Sequence, residues 1–249
     1  MAIKFARNLI TISGAALGAY VFLVRPWQRT WGTTDEEVQR ALPGDELIAH
    51  PDVKLTRAVT IRAKPADIWP WLVQIGQGRG GYYSYEWLEN MAGLKMKNSG
   101  GINPAWQQLK VGDIIPAEPG GKGFKVLAIE PEHALVIGSI ETVDEGVFEG
   151  FKQMFPAFTW AFVLAAIDGE QTRLISRFCG KSEPSQSLKF VGKFAGFISE
   201  PIEFVMTRKM LLGIKQRAEQ ERVSLPADEP VEAEAKSQKN EVVTTPAPV

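Results

Sequence analysis

The chain is poor in the residues that build covalent or metal frameworks. A single cysteine, Cys179, excludes an internal disulfide, and its place in an apolar run reads as a small buried hydrophobe. The only two histidines, His50 and His133, are far apart and have no Cys or His partner at ligand spacing, so no metal site is expected. Charge of either sign is not in excess, with a formal net charge of -1, which removes the general electrostatic pull that nucleic acid exerts on basic proteins. No repeat at solenoid or propeller period is visible. The glycine-rich run Gly76-Gln77-Gly78-Arg79-Gly80-Gly81 lacks the Lys-Ser/Thr ending of a nucleotide loop and follows no strand. It reads as a tight reversal between two helices, and no cofactor is implied.

Length and composition fit one well-cored domain with tails. Residues 8–24 carry no charge and are bracketed by Lys4 and Arg7 before and Arg25 after. As a helix they span about 26 Å, the short end of what crosses a bilayer core, and Trp27 and Trp31 follow where interfacial aromatics sit. The expectation is a single-pass membrane anchor in residues 1–30, its helix stopped at Arg25-Pro26, with the side of the membrane left open. A cleaved signal is disfavoured because apolar residues continue past Ala19. At the other end, residues 226–249 are rich in Glu and Pro and have no aromatic, the composition of a disordered acidic tail. The folded unit is expected over residues 31–225.

Within it, Lys54 to Ile61 alternates as a strand. Residues 64–76 place Ile68, Leu72 and Ile75 at helical spacing behind Pro65, and Tyr82 to Met91 reads as a second short helix. Five strand-like runs follow: Asp113–Ala117, Phe124–Glu130, Ala134–Glu141, Phe158–Ala166 and Thr172–Gly180, with turn residues between neighbours. The last element starts at Ser199, an apparent N-cap with Pro201 in the first turn, and runs to about Arg222 with Ile202, Met206, Met210 and Ile214 four apart. This order predicts an α+β helix-grip fold, a curved antiparallel sheet wrapped around a long C-terminal helix, plus the N-terminal transmembrane helix.

Three stretches carry a family resemblance: Trp69-Pro70-Trp71-Leu72-Val73-Gln74-Ile75-Gly76, Arg79-Gly80-Gly81-Tyr82-Tyr83-Ser84-Tyr85-Glu86-Trp87-Leu88-Glu89-Asn90, and Leu109-Lys110-Val111-Gly112-Asp113. They resemble bacterial SRPBCC (START-like) proteins of the polyketide cyclase/dehydrase-like group, over Trp31 to Glu219. The resemblance implies a cavity between sheet and helix that takes a sterol, lipid, polyketide or hormone-like ligand, with cyclisation or dehydration in some members.

The residues allow an apolar space of that kind. Phe158, Trp160, Phe162 and Leu164 alternate along one strand and project from one face, and Leu174 and Phe178 do so on the next. Trp71, Tyr83, Trp87 and Met206 complete the expected ligand-binding wall, although the same residues also describe an ordinary filled core. For chemistry, Tyr83 and Glu86 are the catalytic candidates, with Tyr85, Arg177 and His133 behind them, and no spacing demands a reaction. The favoured reading is a membrane-tethered protein that binds a lipid-like or polyketide-like molecule. A cyclase, dehydratase or isomerase using the same pocket is the first alternative, and a filled-core assembly protein is the second. The aromatic segment Ser187 to Ile198, together with Phe151, Met154 and Phe155, is a further candidate for resting on a membrane surface.

Overall fold

The computed structural model describes residues 18–140, 155–182 and 189–224, with the side chains of the last segment described from Ser199 to Gln220. A π-helical turn, Tyr20–Val24, leads into α1 (Arg25–Arg29), followed by α2 (Asp35–Gln39), β1 (Val53–Ile61), α3 (Pro65–Val73) and α4 (Glu86–Met91). Then come β2 (Ile114–Pro116), β3 (Gly123–Glu130), β4 (Ala134–Ser139), β5 (Ala157–Ala166), β6 (Thr172–Lys181) and α5 (Lys189–Ser224).

The strands form one six-stranded antiparallel sheet in the order β1-β6-β5-β4-β3-β2. The hairpin between β5 and β6 is set by Asp168, whose carboxylate accepts the backbone N–H groups of Glu170 and Gln171 at 2.8 and 2.7 Å. The register puts Trp160 opposite Phe178, Phe162 opposite Ser176 and Leu164 opposite Leu174, so these residues share one face. Helices α3 and α5 pack over that face, with Ile68, Trp71, Leu72, Met210, Leu211 and Ile214 in the same core. This is the helix-grip arrangement that the element order predicts.

Side chains rather than helix propensity fix α5 against β1. The Arg57 guanidinium, buried on the inner face, donates to both carboxylate oxygens of Glu203 at 2.6 and 2.7 Å. Farther along, Lys215 donates to the Thr60 carbonyl and the Arg62 N–H donates to Glu219. Three ties in sequence order lay the helix along the first strand.

The outer face of the sheet is covered as well, by the segment from Gly32 to Leu47. Its α2 opens with a reciprocal Thr34–Glu37 capping box. Leu42 packs there with Ala58, Val136, Ala161, Val163 and Ile175. Arg177 points into this layer, where it meets Asp45, Thr56 and the carbonyls of Glu37, Val38 and Arg40. Arg177 is therefore a strut of the outer layer and not a residue of the interior. Cys179 lies on the same side beside Asp45, and burial with that carboxylate pushes its thiol up to about 11.

Three boundaries differ from expectation. Helix α5 begins at Lys189, so Ser199 is no N-cap and Pro201 lies inside the helix. The second short helix begins at Glu86 because Tyr83 takes a left-handed backbone conformation, φ 55°, that interrupts any helix starting at Tyr82. The N-terminal helix does not stop at Arg25-Pro26 but continues to Arg29, since the wider π-turn just before Pro26 leaves room for its ring.

Residues 25–29 are also part of the folded unit. Arg25 and Arg29 pair with Glu200 of α5, and the Trp27 ring meets Phe204 edge-on at 5.2 Å. None of the described helices is long and apolar enough to cross a membrane. Residues 8–17 of the expected anchor and the tail 226–249 lie outside the described residues, as do Phe151, Met154 and the side chains of Phe190, Phe194 and Phe197.

Candidate ligand site

The inner face of the sheet is an aromatic floor. The Trp160 ring tilts against Phe162 at 4.9 Å and stands edge-on to Phe124 at 6.1 Å, while Phe158 lies against Phe178 at 5.9 Å. The Trp160 indole N–H donates to Ser176 on the neighbouring strand at 2.8 Å. Phe158, Phe162, Leu164 and Leu174 are buried, yet Trp160 and Phe178, which face each other across β5 and β6, stay partly exposed. A floor sealed by its helices would bury its centre first. Here the centre is less covered than its flanks.

Tyr82 and Tyr83, in the loop before α4, point to different neighbours. Tyr82 stacks on Trp160 with rings 6.4 Å apart and 7° from parallel, and its hydroxyl donates to the Pro116 carbonyl. Burial pushes its phenol far above the ordinary range, and the charge of Glu89 adds to the shift. Tyr83 is buried between α3 and α5. Its hydroxyl donates to the Trp71 carbonyl at 3.1 Å and accepts from the Gln74 side chain at 3.0 Å, and the Arg217 guanidinium lies 4.6 Å from its ring centre. Burial pushes its phenol up to about 12. Its hydrogen-bonding capacity is taken up inside the protein, so Tyr83 works here as a clamp.

Glu86 and Trp87 lie on the outside. Glu86 accepts the Asn98 backbone N–H at 2.6 Å, and Trp87 is 63% exposed with its ring edge-on to Tyr85. Together with Lys209 and Arg217 of α5 they line an outer groove of about 560 Å³. Met206 is half-buried on α5, where its carbonyl accepts from the Ser84 hydroxyl. Of the residues expected to form one wall, the structure brings together Phe158, Trp160, Phe162 and Phe178 and sets Trp71 and Tyr83 under the helices. Trp87 stands apart from the floor and shares the outer groove with Tyr83 and Glu86. His133 is in a hairpin turn, paired with Glu130 and exposed.

Glu89 was not among the residues expected to matter. It lies on α4, 7% exposed, with one carboxylate oxygen fully buried and without a hydrogen-bond partner. No Lys or Arg among the described residues pairs with it. Burial, with Glu86 one turn earlier adding repulsion, pushes its carboxyl up to about 7. The sequence signal for it was weak. Glu89 is four residues after Tyr85 on a six-residue helix, too short for periodicity to separate its inward acid from the outward Glu86.

No protein-family model matches the chain, and no curated protein matches it either. Solved structures of similar outline include the di-domain aromatase/cyclase StfQ of the steffimycin pathway, at 12% identity and TM-score 0.40, over 70% of this chain. The chain spans about half of that protein's length, 52%. The Zhui aromatase/cyclase of Streptomyces sp. R1128 is 11% identical with TM-score 0.34, covering 68% of this chain and 95% of its own. The major latex-like protein 151 of Panax ginseng is 14% identical with TM-score 0.35, covering 70% and 98%. The fold assignment above rests on strand order, register and helix placement.

Proposed function

We propose that this protein holds a hydrophobic small molecule, lipid-like or polyketide-like, between the aromatic floor of the sheet and helices α3 and α5, and that residues 8–24 tether it to a membrane. The observation that carries the ligand reading is the partial exposure of Trp160 and Phe178 at the centre of the inner face, flanked by fully buried neighbours. Apolar surface left uncovered inside a domain has no stabilising partner of its own, and an apolar occupant supplies one. Affinity on this reading comes mainly from apolar burial, with few polar groups to orient the guest.

The test is organic extraction of the full chain, purified in nanodiscs of a defined synthetic lipid, followed by mass spectrometry against empty nanodiscs. A stoichiometric apolar compound supports the reading and names its class. An empty extract, with no thermal shift against a panel of ring-bearing apolar compounds, overturns it in favour of a filled core.

The tether is supported by the uncharged run itself and by Phe22, Leu23 and Trp27, which are exposed where the described chain begins. Removing residues 1–17 leaves the contacts of Arg25, Trp27 and Arg29 with α5 in place. The truncated protein is expected to leave the carbonate-washed membrane pellet while the full chain stays. Equal release of the two forms would remove the tether from the account.

A further inference from the structure

The outer groove, away from the sheet, gathers two cations that no carboxylate neutralises. Among the described residues neither Lys209 nor Arg217 forms an ion pair, and Glu86 is the one acid in the lining, so two cations and one carboxylate leave the groove a net charge of +1. Glu86 already accepts the Asn98 backbone N–H at 2.6 Å. Arg217 is half-buried. Its Nε donates to the Ser99 carbonyl at 2.8 Å and its Nη1 to the Gly213 carbonyl at 3.1 Å, which draws the guanidinium back along α5 toward Lys209. Its Nη2 has no acceptor among the described residues, so one edge of the fork is left to whatever enters the groove. An aromatic ledge adjoins it. Lys209 Nζ lies 5.7 Å from the Tyr85 ring centre, and Tyr85 stands edge-on to Trp87 at 6.4 Å, with Trp87 largely exposed. The backbone beneath is pinned. Tyr83 keeps its left-handed conformation, costly for a residue with a side chain, while Asn98 accepts its N–H at 2.6 Å and donates to the Ser84 carbonyl at 3.0 Å.

From this arrangement we propose that the groove is a binding site of its own, separate from the interior, for a planar aromatic molecule that carries one carboxylate. The carboxylate takes the open edge of Arg217 within the field of Lys209, and the ring lies against Trp87. Each part of the groove argues for that class. A guanidinium fork matches a planar carboxylate, and a net charge of +1 suits one negative charge, whereas a dianion would meet Glu86 uncompensated. The volume of about 560 Å³ is that of a small-molecule site. A neutral molecule of the same shape leaves the half-buried guanidinium without an anion and binds more weakly. The inference does not depend on the interior ligand. Its rival is the chain's own acidic segment, which begins at Pro226, six residues after Gln220 of the groove.

Two probes of nearly equal shape test it, naphthoate and naphthylmethanol, titrated calorimetrically into the full chain in nanodiscs of a zwitterionic synthetic lipid with empty nanodiscs as blank. The wild-type protein is expected to prefer naphthoate by about 10- to 100-fold. Because Arg217 also holds the Ser99 and Gly213 carbonyls, the substitutions fall on its neighbours. Lys209→Met is expected to weaken naphthoate about 2- to 5-fold and leave naphthylmethanol unchanged. Trp87→Ala is expected to weaken naphthoate about 5-fold. An unchanged thermal midpoint shows that each variant is folded. Equal binding of the two probes by the wild type overturns the selection for an anion. Naphthoate affinity unchanged in both variants seats it elsewhere and overturns the groove, and in either case the interior reading stands. Failure of naphthoate to bind the full chain overturns the proposal as well, and if a chain ending at Leu225 then binds it, the occupant of the groove is the acidic segment.

Discussion

Trp160 on β5 donates its indole N–H to the Ser176 hydroxyl on β6 at 2.8 Å, a polar bond set among the aromatic side chains of the floor. Replacing Ser176 with Ala leaves that N–H without an acceptor at the site where a guest is proposed to lie. The expected cost is about 1 kcal/mol of stability, read as a lower urea midpoint at unchanged slope. A fall in slope instead would mean that the floor itself has loosened.

Tyr83 was a catalytic candidate on sequence grounds, and the structure gives it a structural task. Tyr83→Phe deletes the donor to the Trp71 carbonyl and the acceptor for Gln74. A loss of about 1 to 2 kcal/mol in denaturant unfolding is expected, and binding of an apolar probe by the folded protein should not change. A large loss of affinity with stability intact would return Tyr83 to the site.

Gly213 is the reason α5 can lie so close to that tyrosine. A Cβ added at Gly213 would come 2.4 Å from the Tyr83 carbonyl oxygen, a backbone atom that cannot swing away. Gly213→Ala should therefore destabilise the domain by about 2 kcal/mol or more, despite the better helix propensity of alanine. Thermal unfolding of the variant checks this, and an unchanged or raised midpoint would show that the helix has room to shift.

The strands were legible because their faces differ in chemistry. Phe158, Trp160, Phe162 and Leu164 alternate with Thr159, Ala161, Val163 and Ala165, and the structure puts the first set inside. The outer layer was not legible. Arg177 sits in an apolar strand as if it faced a cavity, and only the approach of residues 37–45 from far away in sequence gives its guanidinium a purpose. The start of α5 misled for a local reason, since Ser199 followed by Pro201 is a helix-start pattern that carries no information about the turns before it. The inner acid was hidden because a short helix flanked by tyrosines and a tryptophan has no clear apolar stripe, which left Glu86 and Glu89 equivalent on paper.

The pairing of Arg57 with Glu203 offers a test of what holds α5 to the sheet. Arg57 is buried and receives a bidentate carboxylate, which Thr207 also contacts at 2.7 Å. Glu203→Leu takes the carboxylate from a buried guanidinium, which among the described residues keeps only the Gln28 carbonyl, for an expected loss of about 1.5 to 3 kcal/mol. The double variant Arg57→Met, Glu203→Leu should recover much of it, because the charge that needed a partner is gone. A double-mutant cycle in urea separates this from simple loss of packing, in which case the two losses would add.

Glu89 makes the stability of the protein depend on pH in an uncommon direction. Its carboxyl is held at about 7 in the folded protein, against 4.5 for an ordinary carboxyl, so between those values the folded state binds a proton that the unfolded state has released. Stability from this group is present below about pH 4.5 and is lost as pH rises through about 7. Glu37 and Glu200 act in the opposite sense: burial alone would raise them, but their arginine partners hold them below the ordinary value. Their contribution is lost only as pH falls below that value, outside the window of Glu89. The groups that bear on Glu89 are Glu86 of its own helix and the Tyr82 phenol, which stays protonated throughout. The wild-type protein should therefore lose stability from about pH 5 to pH 8 relative to Glu89→Gln, measured as the difference in urea midpoint at each pH. Parallel profiles for the two proteins would mean that the Glu89 carboxyl reaches water.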